Sequence, residues 1–355
     1  MREPFIYKGT VPRIVFGVGA ISQVAEELRG LGRHKALVLS TPFQEKDAQR
    51  LVEQLGSVCV GVFSGAMMHT PVDVTIEALR VFADAGADCV ISLGGGSTIG
   101  LGKAIAYRTD TPQLVIATTY AGSEVTPILG QTENGIKTTV RDASILPETV
   151  IYDPELTYNL PVKMTVSSGL NAMAHAVEGL YAQDRNPVSS MMAIEGIAAL
   201  YKALPAIIGA PHDPTARSDA LFGSWLCGVV LGAVGMALHH KICHTLGGSF
   251  DLPHSETHAI LLPHTVAYTE AAVPHLLAPV AALMGTDRAS TGLYDFALGI
   301  GAPTRLQDFG LAAKDLDKAT DIAMRDPYWN PRPLEATAVR EMLQMAWEGA
   351  RPASS

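Results

Sequence analysis

Short apolar runs alternate with amphipathic stretches through the first part of the chain. The runs 36-ALVLS-40, 58-VCVGVF-63, 88-DCVISL-93, 113-QLVIATT-119 and 149-TVIYD-153 are rich in Val, Ile and Leu and nearly continuous in their apolar character. That pattern predicts strands covered on both faces. Between them lie segments of helical period such as 71-PVDVTIEALRVFADAGA-87, with Pro71 at its start and Gly86 near its end. Strands alternating with helices imply βαβ units and a mostly parallel sheet. After 152-YDPELTYNLP-161 the pattern changes to long helical periods rich in Ala, Leu, Met and His, with few β-branched runs. The chain is therefore expected to hold an α/β domain over residues 1–155 and an all-helical domain over residues 156–355.

One run needs separate treatment. Leu221 to Leu238 carries no charge, and Gly228 and Gly232 form a GxxxG pair within it. Its length sits at the lower bound for a membrane span. The flanking His239-His240-Lys241, Arg217 and Asp219 favour a helix buried in the helical domain. Composition agrees with a large core, since 48% of the 355 residues are hydrophobic and 17% charged. A net charge of −9 without any Lys/Arg cluster argues against a nucleic-acid partner. The N-terminal stretch lacks an apolar signal core, and Cys59, Cys89, Cys227 and Cys243 form no CxxC pair. Reduced thiols and a cytoplasmic location are expected.

The strand ending at Leu93 runs into 94-GGGSTIGLGKAIAY-107. Gly94, Gly95 and Gly96 followed by Ser97 and Thr98 suit a diphosphate at a helix N-terminus, where glycine allows close backbone approach and free N–H groups face the anion. A tight turn with a capping serine reads the same way. The P-loop reading of GLGK fails, because Ser97 stands at the first glycine and Ala104 at the Ser/Thr position. The stretch 17-GVGAIS-22 lacks the third glycine of a dinucleotide fingerprint. The next strand ends in 118-TTYAGSEVTP-127, whose Thr118, Thr119, Tyr120, Ser123 and Thr126 place hydroxyls beside the glycine loop. Two polar strand ends together favour a nucleotide crevice over capped turns.

The helical half concentrates imidazoles. Six histidines fall within 239-HHKICHTLGGSFDLPHSETHAILLPH-264, and 167-SSGLNAMAHAVEGLYA-182 sets Asn171 and His175 one helical turn apart. His240 and His244 share the same spacing, and His254 follows Pro253 on a loop or at a helix start. Such a group suits proton transfer at neutral pH or, with a carboxylate, a divalent metal. Cys243 is badly angled to pair with His244 and reads as an inert buried thiol. The absence of GxSxG weakens a serine hydrolase.

Taken in order, GGGS, TTYAGSEVTP, DPELT, NAMAH, HHKICHTLGG and DLPHSETHAILLPH resemble the iron-containing alcohol dehydrogenase family over nearly the whole chain. The resemblance implies a nucleotide-binding α/β domain, a helical domain, a cleft between them and a homodimer. It also implies a metal held by an Asp, a His four residues later and two His fourteen apart. Those positions here are Asn171, His175, His240 and His254, so a neutral amide replaces the anion. Loss of that charge weakens metal binding, and the expectation is an enzyme that requires no metal. The stretches SSGLNAMAHAVEGLYA and 135-GIKTTVRDASILPETVIYDPELT-157 resemble members that reduce the C=C of a 2-en-4-one dicarboxylate. After the first strand, Ser40 and Thr41 stand where NAD-selective relatives carry an Asp, so both NADH and NADPH are expected.

On that reading His244 and His254 steady the enolate and deliver the proton, with His175, His240 and Asn171 in support. Arg141, Lys241 and Arg325 are candidates for the substrate carboxylates, and Lys137 for the nucleotide. The rival readings are a metal-dependent alcohol dehydrogenase, a non-catalytic nucleotide-binding module, and a lyase similar to dehydroquinate synthase that uses NAD transiently.

Overall fold

The computed structural model describes residues 4–9, 11–133 and 136–352, excluding the side chains of residues 136 and 137. The chain divides into two compact units, Thr10–Leu160 and Met1–Gly9 with Pro161–Ser355.

In the first unit the strands are β1 (Arg13–Phe16), β2 (Ala36–Leu39), β3 (Cys59–Phe63), β4 (Cys89–Gly94), β5 (Gln113–Ala117), β6 (Ile128–Glu133), β7 (Ile136–Arg141) and β8 (Thr149–Tyr152). Six of them form a sheet in the order β1-β8-β5-β4-β2-β3. Every pairing in it is parallel. The five predicted strands all appear. The edge strand β1 and the antiparallel pair β6–β7 lay outside the expectation, because their residues are partly exposed and mixed with Arg, Gln, Thr and Glu. Helices α1 (Val24–Gly30), α2 (Glu45–Leu55), α3 (Val72–Asp84) and α4 (Gly96–Thr109) complete this unit. Alternate strand residues feed two cores. Ala36, Val38, Ile91 and Ile116 pack with Val24, Leu28 and Leu51, while Leu37, Leu39 and Val90 pack with Ala78, Phe82 and Ile105. Burial on both faces explains the continuous apolar runs.

The second unit holds α5 (Val162–Leu180), α6 (Pro187–Gly209), α7 (Pro214–Ala233), α8 (Leu238–Phe250), α9 (His254–Glu270), α10 (Pro274–Met284), α11 (Ala289–Gly299), α12 (Asp315–Arg325) and α13 (Ala336–Glu348). Gly196 and Gly223 let α6 and α7 touch backbone to backbone; a Cβ on Gly223 falls 3.0 Å from the Gly196 carbonyl oxygen. The uncharged run 221–238 is not the single helix expected. It breaks after Ala233, and α7 and α8 meet at 97°. At the break Val234 is extended, and the Gly235 N–H donates to Asp184 Oδ1 at 2.8 Å. Among the described residues, α6, which carries Pro205, is by length and composition apolar enough to cross a membrane, as is the bent α7–α8 pair taken together.

Candidate active site

Within the helical unit, three helices bring six imidazoles together. On α5, Asn171, His175 and Glu178 fall along one buried stripe at i, i+4 and i+7. The bend before α8 aims His239 and His240 at that stripe. Glu178 meets the new helix end: its Oε1 accepts the His239 backbone N–H at 2.8 Å, and its Oε2 accepts from His240 Nδ1. A carboxylate at a helix N-terminus satisfies an otherwise orphaned N–H and complements the helix dipole. The first turn of α9 then adds His254 and His258, whose ring centroids lie 4.5 Å apart.

The partners fix the tautomers of neutral rings. With Glu178 taking the Nδ1 proton, His240 turns its Nε2 lone pair to His175 Nδ1 at 2.9 Å, so His175 is the donor. A second chain runs behind the first. The Thr265 hydroxyl donates to the Leu261 carbonyl at 3.0 Å, leaving its oxygen to accept from His239 Nδ1 at 2.9 Å. His239 Nε2 therefore accepts from His258 Nδ1 at 2.9 Å. Burial, followed by the surrounding imidazoles, pushes both His239 and His258 far below the usual histidine value and keeps them neutral.

His175, His239, His240 and His258 are buried, whereas His244 and His254 retain some exposure. These two are thus the cluster members placed to exchange protons with solvent or a ligand. His244 Nδ1 lies 3.3 Å from the Tyr328 hydroxyl, and Lys241 Nζ sits 5.4 Å from the centre of the Tyr328 ring. Burial and then Asp326 raise the Tyr328 pKa, so its hydroxyl stays protonated. Arg325 is exposed at the end of α12, three residues before Tyr328. His264, the sixth histidine of the run, packs against Tyr294, and burial lowers it to about 4.

In the α/β unit, the carboxyl ends of β2, β4 and β5 lie side by side. Strand order reverses between β2 and β4, where a ligand crevice is expected in such sheets. Thr41 stands at the N-cap position of the turn after β2, without a side-chain capping bond, and Gly94–Thr98 joins β4 to α4. Thr118 follows β5 and donates its backbone N–H to the Gly94 carbonyl at 3.0 Å. Gly94 has φ +154°, and a Cβ there falls 2.5 Å from Thr98 Oγ1; a Cβ on Gly95 falls 2.6 Å from Thr119. Around Gly96 the space is open. Gln44 spans the gap by donating to Thr118 Oγ1 at 3.0 Å.

Not every predicted hydroxyl faces the loop surface. Tyr120, Thr98, Thr118 and Thr126 are buried, so they support the loops from behind rather than line them. Thr126 is bound by Lys103, a fully buried lysine on α4 whose Nζ faces four oxygens: the Thr126 carbonyl at 2.8 Å, the Thr126 hydroxyl at 2.9 Å, the Ile128 carbonyl at 2.9 Å and the Ser123 carbonyl. Burial lowers Lys103 to about 7, opposed by nearby Glu124. Ser97, Thr119 and Ser123 keep partial exposure. Arg141 is exposed at the end of β7, and the Lys137 side chain lies outside the described residues.

Sequence reasoning missed Glu178, His239, His258, Tyr328, Gln44 and Lys103. Glu178 completes a visible i, i+4, i+7 stripe, and His258 stands one turn beyond His254. Lys103 breaks an apolar helix face. Tyr328 has no local signal, because only packing brings it to His244.

Two sequence profiles cover most of the chain: residues 12–154 match that described as iron-containing alcohol dehydrogenase, and residues 165–347 match the Fe-containing alcohol dehydrogenase family, C-terminal. Maleylacetate reductase of Rhizobium sp. (strain MTP-10005) is 63% identical over 350 residues, 99% of each chain. The Burkholderia cepacia maleylacetate reductase is 53% identical, covering 98% of this chain and 99% of its own. The crystal structure of maleylacetate reductase from Agrobacterium tumefaciens superposes with a TM-score of 0.95 at 63% identity, covering 99% of this chain and 100% of that one.

The expectation that no metal is required does not stand. The matched profiles are those of an iron-containing family, and the fold itself assembles a metal-capable donor set. The set is not the one the resemblance implied. Among the described residues, three His, Cys, Asp or Glu ligand atoms come within 4.8 Å of one another at His239, Cys243 and His258. Among the described residues His175, His240 and His254 do not come together as such a group, and Asn171 brings no charge to join them. Cys243, read from the sequence as inert, lies 3.7 Å from His239 Nε2.

Proposed function

The chain belongs to the iron-containing alcohol dehydrogenase family, and from that premise we propose that it is an NAD(P)H-dependent oxidoreductase reducing maleylacetate to 3-oxoadipate. The observation that carries this reading is full-length identity of 63% to a maleylacetate reductase. The imidazole cluster supplies the chemistry the reaction asks for.

Maleylacetate is a dicarboxylate whose C=C is conjugated to a ketone. A bound nicotinamide would supply a hydride to the alkene carbon β to the ketone, which would place the electron pair on the ketone oxygen as an enolate. A proton then reaches the α-carbon, giving 3-oxoadipate. The enolate needs a donor and the α-carbon a proton source. His244 and His254 are the cluster members accessible for both tasks. Tyr328 orients His244 through its hydroxyl, and Glu178 fixes His240, which in turn orders His175. Lys241, held over the Tyr328 ring beside His244, suits one substrate carboxylate; Arg325 and Arg141 remain candidates for the other.

The glycine loop with the partly exposed Ser97 and Thr119 suits the cofactor diphosphate. Thr41 at the turn after β2 carries no charge to repel a 2′-phosphate, which supports use of NADPH as well as NADH. A cytoplasmic homodimer belongs to the same reading; the four free cysteines suit a reducing compartment.

The test is maleylacetate-dependent oxidation of NADH and of NADPH, followed by absorbance, with simple aldehydes and ketones as competing substrates. Turnover of maleylacetate with both cofactors is expected. Reduction of simple carbonyls with maleylacetate left unchanged overturns the reading in favour of an alcohol dehydrogenase.

A further inference from the structure

We infer that His239, Cys243 and His258 form a metal site of two imidazoles and a thiolate, displaced from the family positions by one residue on α8 and one turn on α9. The donors are built for it. His239 and Cys243 are one helical turn apart and share a face of α8, and α9 brings His258 across to them. His239 Nε2 lies 2.9 Å from His258 Nδ1 and 3.7 Å from Cys243 Sγ. Ligands about 2.0–2.1 Å (nitrogen) and 2.3 Å (sulfur) from one zinc ion stand at comparable separations from each other.

The surroundings prepare the first ligand. His239 gives its Nδ1 proton to Thr265, whose own proton is committed to the Leu261 and Leu262 carbonyls at 3.0 and 3.2 Å. That leaves the Nε2 lone pair aimed at the cluster, the outer hydrogen bond that orients a ligating imidazole. All three residues are buried, so no water competes for the donors.

Without an ion, His258 spends its Nδ1 proton on His239, and its Nε2 is left buried with no hydrogen-bond partner. A buried bare acceptor is costly. Coordination through Nδ1 moves the proton to Nε2, converting it into a donor among the rings of His240 and His254, 5.0 and 4.5 Å away between centroids. The Cys243 thiol proton leaves to solvent as the thiolate binds. A sulfur donor selects Zn²⁺ or another soft or borderline ion over Mg²⁺ and Ca²⁺.

The inference rests on donor geometry alone, so it is decided without turnover and independently of the substrate reading. Metal-free protein is titrated with Co²⁺ under argon. One equivalent is expected to produce an intense near-ultraviolet thiolate-to-cobalt band with tetrahedral visible bands. Cys243→Ser should abolish the thiolate band, and His175→Ala should leave it. Thr265→Val should weaken Zn²⁺ competition for the site by about 10–100-fold. X-ray absorption on the zinc-loaded wild type provides a reading that needs no variant, with a sulfur scatterer expected near 2.3 Å. Cobalt bound without a thiolate band, a band that survives Cys243→Ser, or no binding at all overturns the site.

Discussion

The two units build their functional groups by opposite means. At the strand ends of the α/β unit the proposed cofactor site is made of backbone: glycines, N–H groups and short hydroxyl side chains on loops that leave their strands directly. In the helical unit it is made of side chains from separate helices, with His175 and His240 meeting across 65 positions of sequence. A backbone site is a local property of the chain and is written in glycine. A side-chain site depends on the angles at which helices pack, and the sequence records only the residue types.

If that contrast holds, the helical site should fail most severely where its one buried anchor is removed. Glu178→Ala strands the His240 ring N–H and the His239 backbone N–H, two buried donors left unsatisfied, and is expected to lower unfolding free energy by about 2–5 kcal/mol, measured by urea denaturation. Glu178→Gln should recover part of the loss. A cost below about 1 kcal/mol would mean the three helices hold the cluster without it.

The next effect is confined to catalysis. His244→Ala is expected to reduce kcat by about 100-fold or more with little change in KM for NADH. An unchanged kcat would leave His254 to act alone.

In the α/β unit the buried Lys103 offers a pH signature. Its unfolded amine holds a proton up to 10.5, whereas the folded one, short of solvent, releases it near pH 7. Between those values the unfolded chain binds more protons, so this group makes stability rise with pH. The denaturation midpoint of the wild type, less that of Lys103→Met, should therefore increase from pH 7 to pH 9. A flat difference would show that the four oxygens around Nζ keep it charged.

The smallest effect probes the cofactor loop. Thr41→Asp should reduce kcat/KM for NADPH by about tenfold or more relative to NADH, given a like-charge repulsion of about 1–4 kcal/mol at contact distance. Equal losses with both cofactors would place the 2′-phosphate elsewhere.

Much of the architecture was legible because each buried strand needs apolar residues on both faces and each glycine turn needs residues without a side chain. The runs at 36, 58, 88, 113 and 149 became strands for that reason. The break after Ala233 was not legible, since 221–238 is uncharged throughout and the bend is met by Asp184 reaching Gly235 from the turn between α5 and α6. The metal assignment went astray on the same ground. Asn171 showed that one anion was gone, but Glu178 behind His240 and the Cys243 thiol beside His239 emerge only when α5, α8 and α9 are packed.

By itself the sequence determined the α/β-then-helical order, the glycine loop at a strand end and a supply of imidazoles in the helical half, because these follow from periodicity and residue type. Tertiary structure alone decided which imidazoles face which, which nitrogen of each carries the proton, and which donors stand close enough to share an ion. Those are matters of distance between helices, and no spacing along the chain encodes them.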